Sequence, residues 1–192
     1  MTPRPPAGPT SAPRLRAGVL PTPFGPLAVV VDPVAVGDIA APADGTVVAS
    51  GFGDLDDTVG RLTDVQRDRG IDVVGPDGLG AVAQAVAAYV AGDLDALDRV
   101  PVSQPGGEFT QAAWTALRGV PAGETDTYTG LAARAGRPAA VRAAGSACAR
   151  NLVAPFVPCH RIVRTDGSLG GYYYGLEVKV ALLAHEGVLV GA

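Results

Sequence analysis

Proline and glycine decide most of what this chain can become. The 192 residues include 26 glycines and 17 prolines, a share just short of the ~25–30% that marks a disordered chain. They cut the sequence into short pieces. Eight prolines (Pro3, Pro5, Pro6, Pro9, Pro13, Pro21, Pro23, Pro26) crowd the first 26 residues, and Met1 to about Arg16 has almost no apolar period, so residues 1–16 are expected to be a disordered tail. A second cluster, Pro101 to Gly107, separates two patterns. Ahead of it, the runs Leu27–Val31 and Thr46–Ser50 read as strands, while Asp57–Arg69 and Leu79–Val90 carry Val59, Leu62 and Val65, then Val82, Val86, Ala87 and Val90, at helical spacing. Behind it the pattern is one of short helices. The expected organisation is an α/β unit over 17–100, a connector over 101–108 and a second unit over 109–192.

In the second unit, Phe109, Ala113, Trp114 and Leu117 mark a helix that ends at Gly119. Thr127 is a candidate N-cap for a helix bearing Leu131 and Ala132, stopped by Ala135-Gly136-Arg137, and Pro138 suits the first turn of a third helix running to about Arg150. Helix, short glycine-containing turn, helix is the spacing of a helix-turn-helix. A last helix is expected over Leu176–Glu186, with Val178, Leu182 and Leu183 inward.

No apolar run approaches the ~18 residues of a membrane helix, and the N-terminus lacks the apolar core of a signal peptide. Two cysteines in such a chain point to reduced thiols and a cytoplasmic setting. The net charge of -4 argues at first against nucleic acid. Its distribution argues the other way. Residues 109–192 hold eight basic and five acidic side chains, and from Arg134 to Arg164 there are six arginines and no carboxylate. An anionic partner is expected on that stretch.

Both cysteines and both histidines lie late: Cys148, Cys159, His160 and His185. Their spacing fits no zinc motif, and no metal or other cofactor is expected. Cys148, in Gly145-Ser146-Ala147-Cys148-Ala149, reads as a small buried thiol. Cys159 stands in Pro158-Cys159-His160-Arg161, beside a potential base and a cation, the surroundings a thiol needs to reach its nucleophilic thiolate form. Taken alone, the dipeptide still favours a buried structural cysteine.

The wider segment adds much more. Pro158-Cys159-His160-Arg161-Ile162 is followed by Gly167-Ser168-Leu169-Gly170-Gly171-Tyr172, Gly175-Leu176, Lys179 and Leu182-Leu183-Ala184-His185-Glu186-Gly187, and preceded by Trp114, Pro121-Ala122-Gly123, Thr127-Tyr128, Gly136-Arg137-Pro138 and Arg142-Ala143. At these offsets residues 105–188 closely resemble the O6-alkylguanine-DNA alkyltransferases, the methylated-DNA–protein-cysteine methyltransferases; residues 20–100 resemble them only loosely. The resemblance implies an α+β fold with a small ribonuclease H-like N-terminal domain and a helical, winged-helix-like C-terminal domain. It implies a monomer that meets double-stranded DNA containing O6-alkylguanine in the minor groove, flips the base out, and moves a methyl or small alkyl group onto Cys159 once; O4-alkylthymine is a further possible lesion.

Residue by residue, the resemblance makes Cys159 the acceptor, His160 its base through a water, Glu186 the group that polarises His160, and Asn151 the brace of the turn before the active-site loop. Arg142 corresponds to the arginine finger that replaces the flipped base, and Tyr128 to the tyrosine that crowds its phosphate and hydrogen-bonds the guanine. Ala143, Ala144 and Gly145 belong to a recognition helix with few side chains able to reach base edges, which suits a reader indifferent to sequence. There are departures. Leu152 stands where the family often has proline, which implies a less rigid hinge, and Tyr173 and Tyr174 stand where small residues are common, which implies a narrowed pocket that takes methyl better than benzyl. Two other readings remain: a module that recognises alkylated DNA without repairing it, against which the cysteine speaks, and a helix-turn-helix regulator, against which the bare recognition helix speaks.

Overall fold

The structure, a computed structural model, describes residues 12–34 and 45–189. Most of the expected tail lies outside the described residues. Its last two residues do not belong to it: strand β1 begins at Leu15, where Leu15 and Ala17 are buried, because these apolar side chains supply one face of a sheet that proline spacing alone does not reveal. β1 (Leu15–Leu20), β2 (Leu27–Asp32), β3 (Thr46–Phe52) and β4 (Ile71–Val73) form a mixed sheet in the order β3-β2-β1-β4, antiparallel except for the β1–β4 pair. β2 is buried along its whole length. Its residues alternate, as the strand period of two requires: Leu27, Val29 and Val31 join the main core, and Val30 joins a smaller one with Leu15, Ala17, Val48 and Leu62.

The expected helix over 57–69 is in fact two, α1 (Leu55–Gly60) and α2 (Asp64–Asp68). Thr63 divides them by a capping box: its hydroxyl accepts the Gln66 N–H and the Gln66 side chain accepts the Thr63 N–H. Val65 is consequently solvent-facing. Helix α3 (Ala81–Val90) turns Val82, Val86 and Tyr89 inward and leaves Ala87 exposed.

After the connector come α4 (Glu108–Arg118), β5 (Asp126–Thr127), α5 (Tyr128–Arg134), α6 (Val141–Ala149), β6 (Ile162–Val163) and α7 (Leu176–His185). Thr127 does cap α5, its hydroxyl accepting the Gly130 N–H at 3.0 Å. Gly136, at φ 79°, ends it: the Gly136 N–H returns to Ala133 O and the Arg137 N–H to Ala132 O, a Schellman closure that only a left-handed residue permits. α6 starts at Val141 rather than in the turn of Pro138, since Pro138 to Ala140 are used to cross from one helix to the next. The parallel pair Asp126↔Ile162 and Thr127↔Val163 ties the segment after Cys159 to the start of α5. The core does not stop at the connector. One cluster runs from Val29, Val82 and Tyr89 through Trp114, Leu117 and Leu131 to Phe156, Ile162 and Leu182. Among the described residues no helix is long and apolar enough to cross a membrane.

Candidate active site

Cys159 opens a short 3-10 turn (Cys159–Arg161) and is buried, 8% exposed. Asn151, just past the end of α6, lies beneath it: Nδ2 donates to Val157 O at 2.7 Å and to the Cys159 sulfur at 3.2 Å, while Oδ1 accepts from the Val153 N–H at 3.2 Å and from Gln104 Nε2 at 3.1 Å. The Asn151 side chain is thus fully engaged, and its position is fixed. Burial pushes the Cys159 thiol up; the Asn151 N–H and then the Lys179 ammonium oppose that shift. Lys179 is wholly buried on α7, its ammonium held by the carbonyls of Ile162 and Leu169, and burial brings it down to about 8 against the pull of an anion at Cys159.

His160 and Glu186 meet in the core. His160 Nε2 lies 3.1 Å from Glu186 Oε1. With Nε2–H given to a carboxylate, Nδ1 is the nitrogen with a free lone pair, and it has no hydrogen-bond partner among the described residues. Glu186 accepts more than this one bond: Arg161 Nη2 reaches Oε1 at 2.9 Å, Arg161 Nε reaches Oε2 at 3.0 Å, and the Tyr89 hydroxyl donates to Oε1 at 2.8 Å. Burial alone would raise this carboxyl, but the hydrogen bonds from His160 and Arg161 outweigh it and hold Glu186 at about 2. For His160, burial wins over the carboxylate and the imidazole is pushed down, so it rests neutral. A neutral imidazole with an anionic partner is a competent proton acceptor.

A pocket of about 290 Å³ opens above Cys159, lined by Tyr128, Gly145, Cys148, Ala149, Tyr172 and Tyr173. Tyr128 is half-buried and burial raises its phenol, which therefore stays protonated. Its hydroxyl passes Gly170, where a Cβ would stand 2.9 Å from the oxygen and where φ is 67°. A side chain at that φ is strained, which favours glycine there. The structure thus brings Cys159, His160, Glu186, Asn151, Tyr128, Gly145 and Tyr173 together. Arg142 is exposed on the first turn of α6, with Ala143 partly exposed after it, but Ala144 is fully buried and packs in the core. Helical period turns every third or fourth residue inward, so Ala144 offers no surface to DNA. The arginine stretch loses Arg161, which is buried on Glu186; the other five stay exposed, with Arg134 paired to Asp126 at 2.8 Å and Arg137 3.9 Å from Glu108. Among the described residues no group of three or more His, Cys, Asp or Glu side chains is disposed to hold a metal ion.

A family model described as the DNA binding domain of 6-O-methylguanine DNA methyltransferase matches residues 108–188. A methylated-DNA–protein-cysteine methyltransferase of Salmonella typhimurium is 39% identical over 124 residues, covering 65% of this chain and 72% of that protein. The chain belongs to the methylated-DNA–protein-cysteine methyltransferase family. One of Methanosarcina acetivorans is 44% identical over 105 residues, 55% of this chain and 67% of that one. Likeness extends over the whole fold: a Mycobacterium tuberculosis OGT solved in complex with DNA matches with a TM-score of 0.67 and 29% identity, covering 89% of this chain and 92% of that one. The fold is accordingly the mixed α+β fold of this family.

For a family member, the site draws on more of the chain than its motifs announce. Tyr89 and Arg61 come from the N-terminal unit, whose polar residues show no cluster in the sequence; Tyr89 signals itself only as a polar-tipped ring on the apolar stripe of α3. Arg61 has no local signal at all. Its Nη2 donates to Asn151 O at 2.7 Å and its Nη1 to the Tyr174 hydroxyl at 2.5 Å. Cys148 lines the pocket and is only partly buried, unlike the enclosed thiol that its small neighbours imply. Tyr174 does not narrow the pocket, because it folds away against Phe52 and Ser50. Nor is the hinge slackened by Leu152. Its N–H donates to Gln104 Oε1 at 2.7 Å, a bond proline has no hydrogen to make, and its carbonyl accepts the Ser50 N–H at 2.7 Å.

Proposed function

We propose that this chain is a DNA repair methyltransferase that takes a methyl or small alkyl group from O6 of guanine in duplex DNA onto Cys159, restoring the base directly. One observation carries the reading: a buried thiol, braced at 3.2 Å by Asn151, is followed in the chain by a buried histidine whose Nε2 lies 3.1 Å from the Glu186 carboxylate. The thiol proton passes through a water to His160 Nδ1, and Glu186 stabilises the imidazolium that forms. The sulfur attacks the alkyl carbon as the carbon–O6 bond breaks, and the bonding pair leaves with the guanine. Tyr128, kept protonated by burial, donates a hydrogen bond to the departing base and stabilises the negative charge that develops on it. The product is a thioether, which nothing in the site hydrolyses, so each molecule acts once.

A base stacked in a duplex is out of reach of a buried sulfur, so the nucleotide is flipped into the pocket. In this reading α5 and α6 act as a helix-turn-helix laid in the minor groove, where the small side chains of Ala143 and Gly145 let the helix approach closely and Arg142 fills the vacated stack. The finer architecture goes with it: a ribonuclease H-like unit over 17–100 and a winged-helix-like unit over 109–192. Two experiments test the proposal. Incubation with duplex containing O6-methylguanine should return ordinary guanine in an intact strand; a free methylated base with an abasic site would point to glycosidic cleavage instead. Arg142→Ala should slow repair of duplex by about 10–100-fold, the worth of a few kcal/mol of flipping energy, with little effect on the free modified base. Equal losses on both substrates would remove the flipping role.

A further inference from the structure

The Tyr172-Tyr173-Tyr174 run and Arg61 are left over by this mechanism, and they sit together. Tyr174 is anchored in the N-terminal unit. Its ring lies over Gly51, where a Cβ would come within 2.1 Å of the hydroxyl oxygen; it meets Phe52 edge-on at 5.7 Å, donates to Ser50 O at 3.1 Å and accepts from Arg61 at 2.5 Å. Tyr173, the residue before it, stands at the mouth of the pocket and is 70% exposed. An exposed ring ordinarily samples several rotamers. This one is held on two sides: the Tyr174 ring stands against it at 5.0 Å and 80°, and the Arg61 guanidinium carbon lies 4.9 Å from its centroid. The same guanidinium donates to the carbonyl of Asn151, whose side chain braces the Cys159 sulfur. One residue outside the acceptor unit thus fixes both the mouth of the pocket and the residue at its floor.

We infer that Arg61 and Tyr173 form a latch across the two units that sets the size of alkyl group the pocket admits, so that the N-terminal unit is a specificity element of the reaction. The inference rests on the proposed alkyl transfer. Tyr173 is the wall of the mouth, and Arg61 is a positioning residue that holds it closed. A methyl group passes beneath the ring; a benzyl group needs the ring to swing out, which breaks the stack on Arg61 and the edge contact with Tyr174.

The test uses the full chain and two duplexes identical except for O6-methylguanine or O6-benzylguanine, with single-turnover transfer rates measured for each. Wild type should favour methyl. Tyr173→Ala should raise the benzyl-to-methyl ratio by about tenfold, the scale on which a pocket wall discriminates by shape, and Arg61→Ala by about fivefold, as a ring released from one cationic partner. The double variant should exceed Tyr173→Ala alone by nothing, because Arg61 acts through that ring. Tyr173→Phe, which keeps the ring, should keep the wild-type ratio. An Arg61 of purely structural value would slow both substrates alike, and an unchanged ratio in Arg61→Ala overturns the latch. Tyr173 is exposed, so Tyr173→Ala carries the test even where Arg61→Ala does not fold; an unchanged ratio there overturns it equally. Absence of transfer from either duplex by wild type would instead contradict the alkyl-transfer reading itself.

Discussion

Replacing Cys159 with alanine should abolish alkyl transfer and leave the protein folded and bound to alkylated duplex. The sulfur is the acceptor that Asn151 braces in the pocket, whereas the DNA contacts of the reading lie on α6 and at Tyr128. The structural cost is small. Only a sulfur-sized space is vacated, and Asn151 Nδ2 keeps its bond to Val157 O at 2.7 Å, losing only the weak sulfur acceptor of its second N–H. About 1 kcal/mol of stability is the scale for a void of that size. A mobility-shift titration and a thermal melt check the two halves: binding within a few-fold of wild type, with no label on the protein. Residual transfer at a measurable rate would show that another nucleophile takes the group.

Glu186→Gln should be the most damaging substitution to the fold. The Arg161 guanidinium is 2% exposed and its charge is answered by Glu186 alone among the hydrogen-bonded partners, the remaining bond going to Val120 O at 2.6 Å. Breaking a buried pair by removing one partner costs about 3–5 kcal/mol, and the Tyr89 hydroxyl and His160 lose their acceptor charge with it. The pH dependence follows from the sign of the shift. Glu186 is depressed to about 2 in the folded protein against 4.5 for an ordinary carboxyl, so its stabilisation is complete above about 4.5 and lost as pH falls from there toward 2. Over that span it is worth roughly 3 kcal/mol. Chemical denaturation from pH 7 to pH 2 should therefore show wild type and variant curves far apart at neutral pH and converging in acid; curves that stay parallel would mean Glu186 is not held as described. Transfer should slow as well, since the imidazolium at His160 loses its counter-charge.

What the sequence made legible divides along physical lines. Local signals were readable where the residue itself dictates the structure: the Thr127 cap, the Gly136 stop, and the strands Leu27–Val31 and Thr46–Ser50 all stand close to where their chemistry predicts. The acceptor cluster was readable because its parts sit at fixed offsets in one segment. Three things were not. The first strand hid because Leu15 and Ala17 alternate for too short a stretch beside a proline-rich run. The Thr63–Gln66 capping box was overridden by a helical period that continues on paper through both short helices. Arg61 and Tyr89 were invisible because their roles depend on which pieces of chain the fold brings together, 90 and 97 residues apart from their partners Asn151 and Glu186. Charge, too, reads differently in space: of the six arginines Arg161 turns inward onto Glu186, and of the five that stay exposed Arg134 and Arg137 face Asp126 and Glu108.

The most direct test of the account counts methyl groups. Protein mixed with excess duplex carrying labelled O6-methylguanine, then digested and its peptides weighed, should plateau at one methyl per chain, all of it on the peptide containing Cys159. Cys148, in the same pocket, should carry none, because the Asn151 N–H that opposes the effect of burial is given to the Cys159 sulfur. Turnover beyond one methyl per chain, or a methyl found on any residue other than Cys159, would contradict the account.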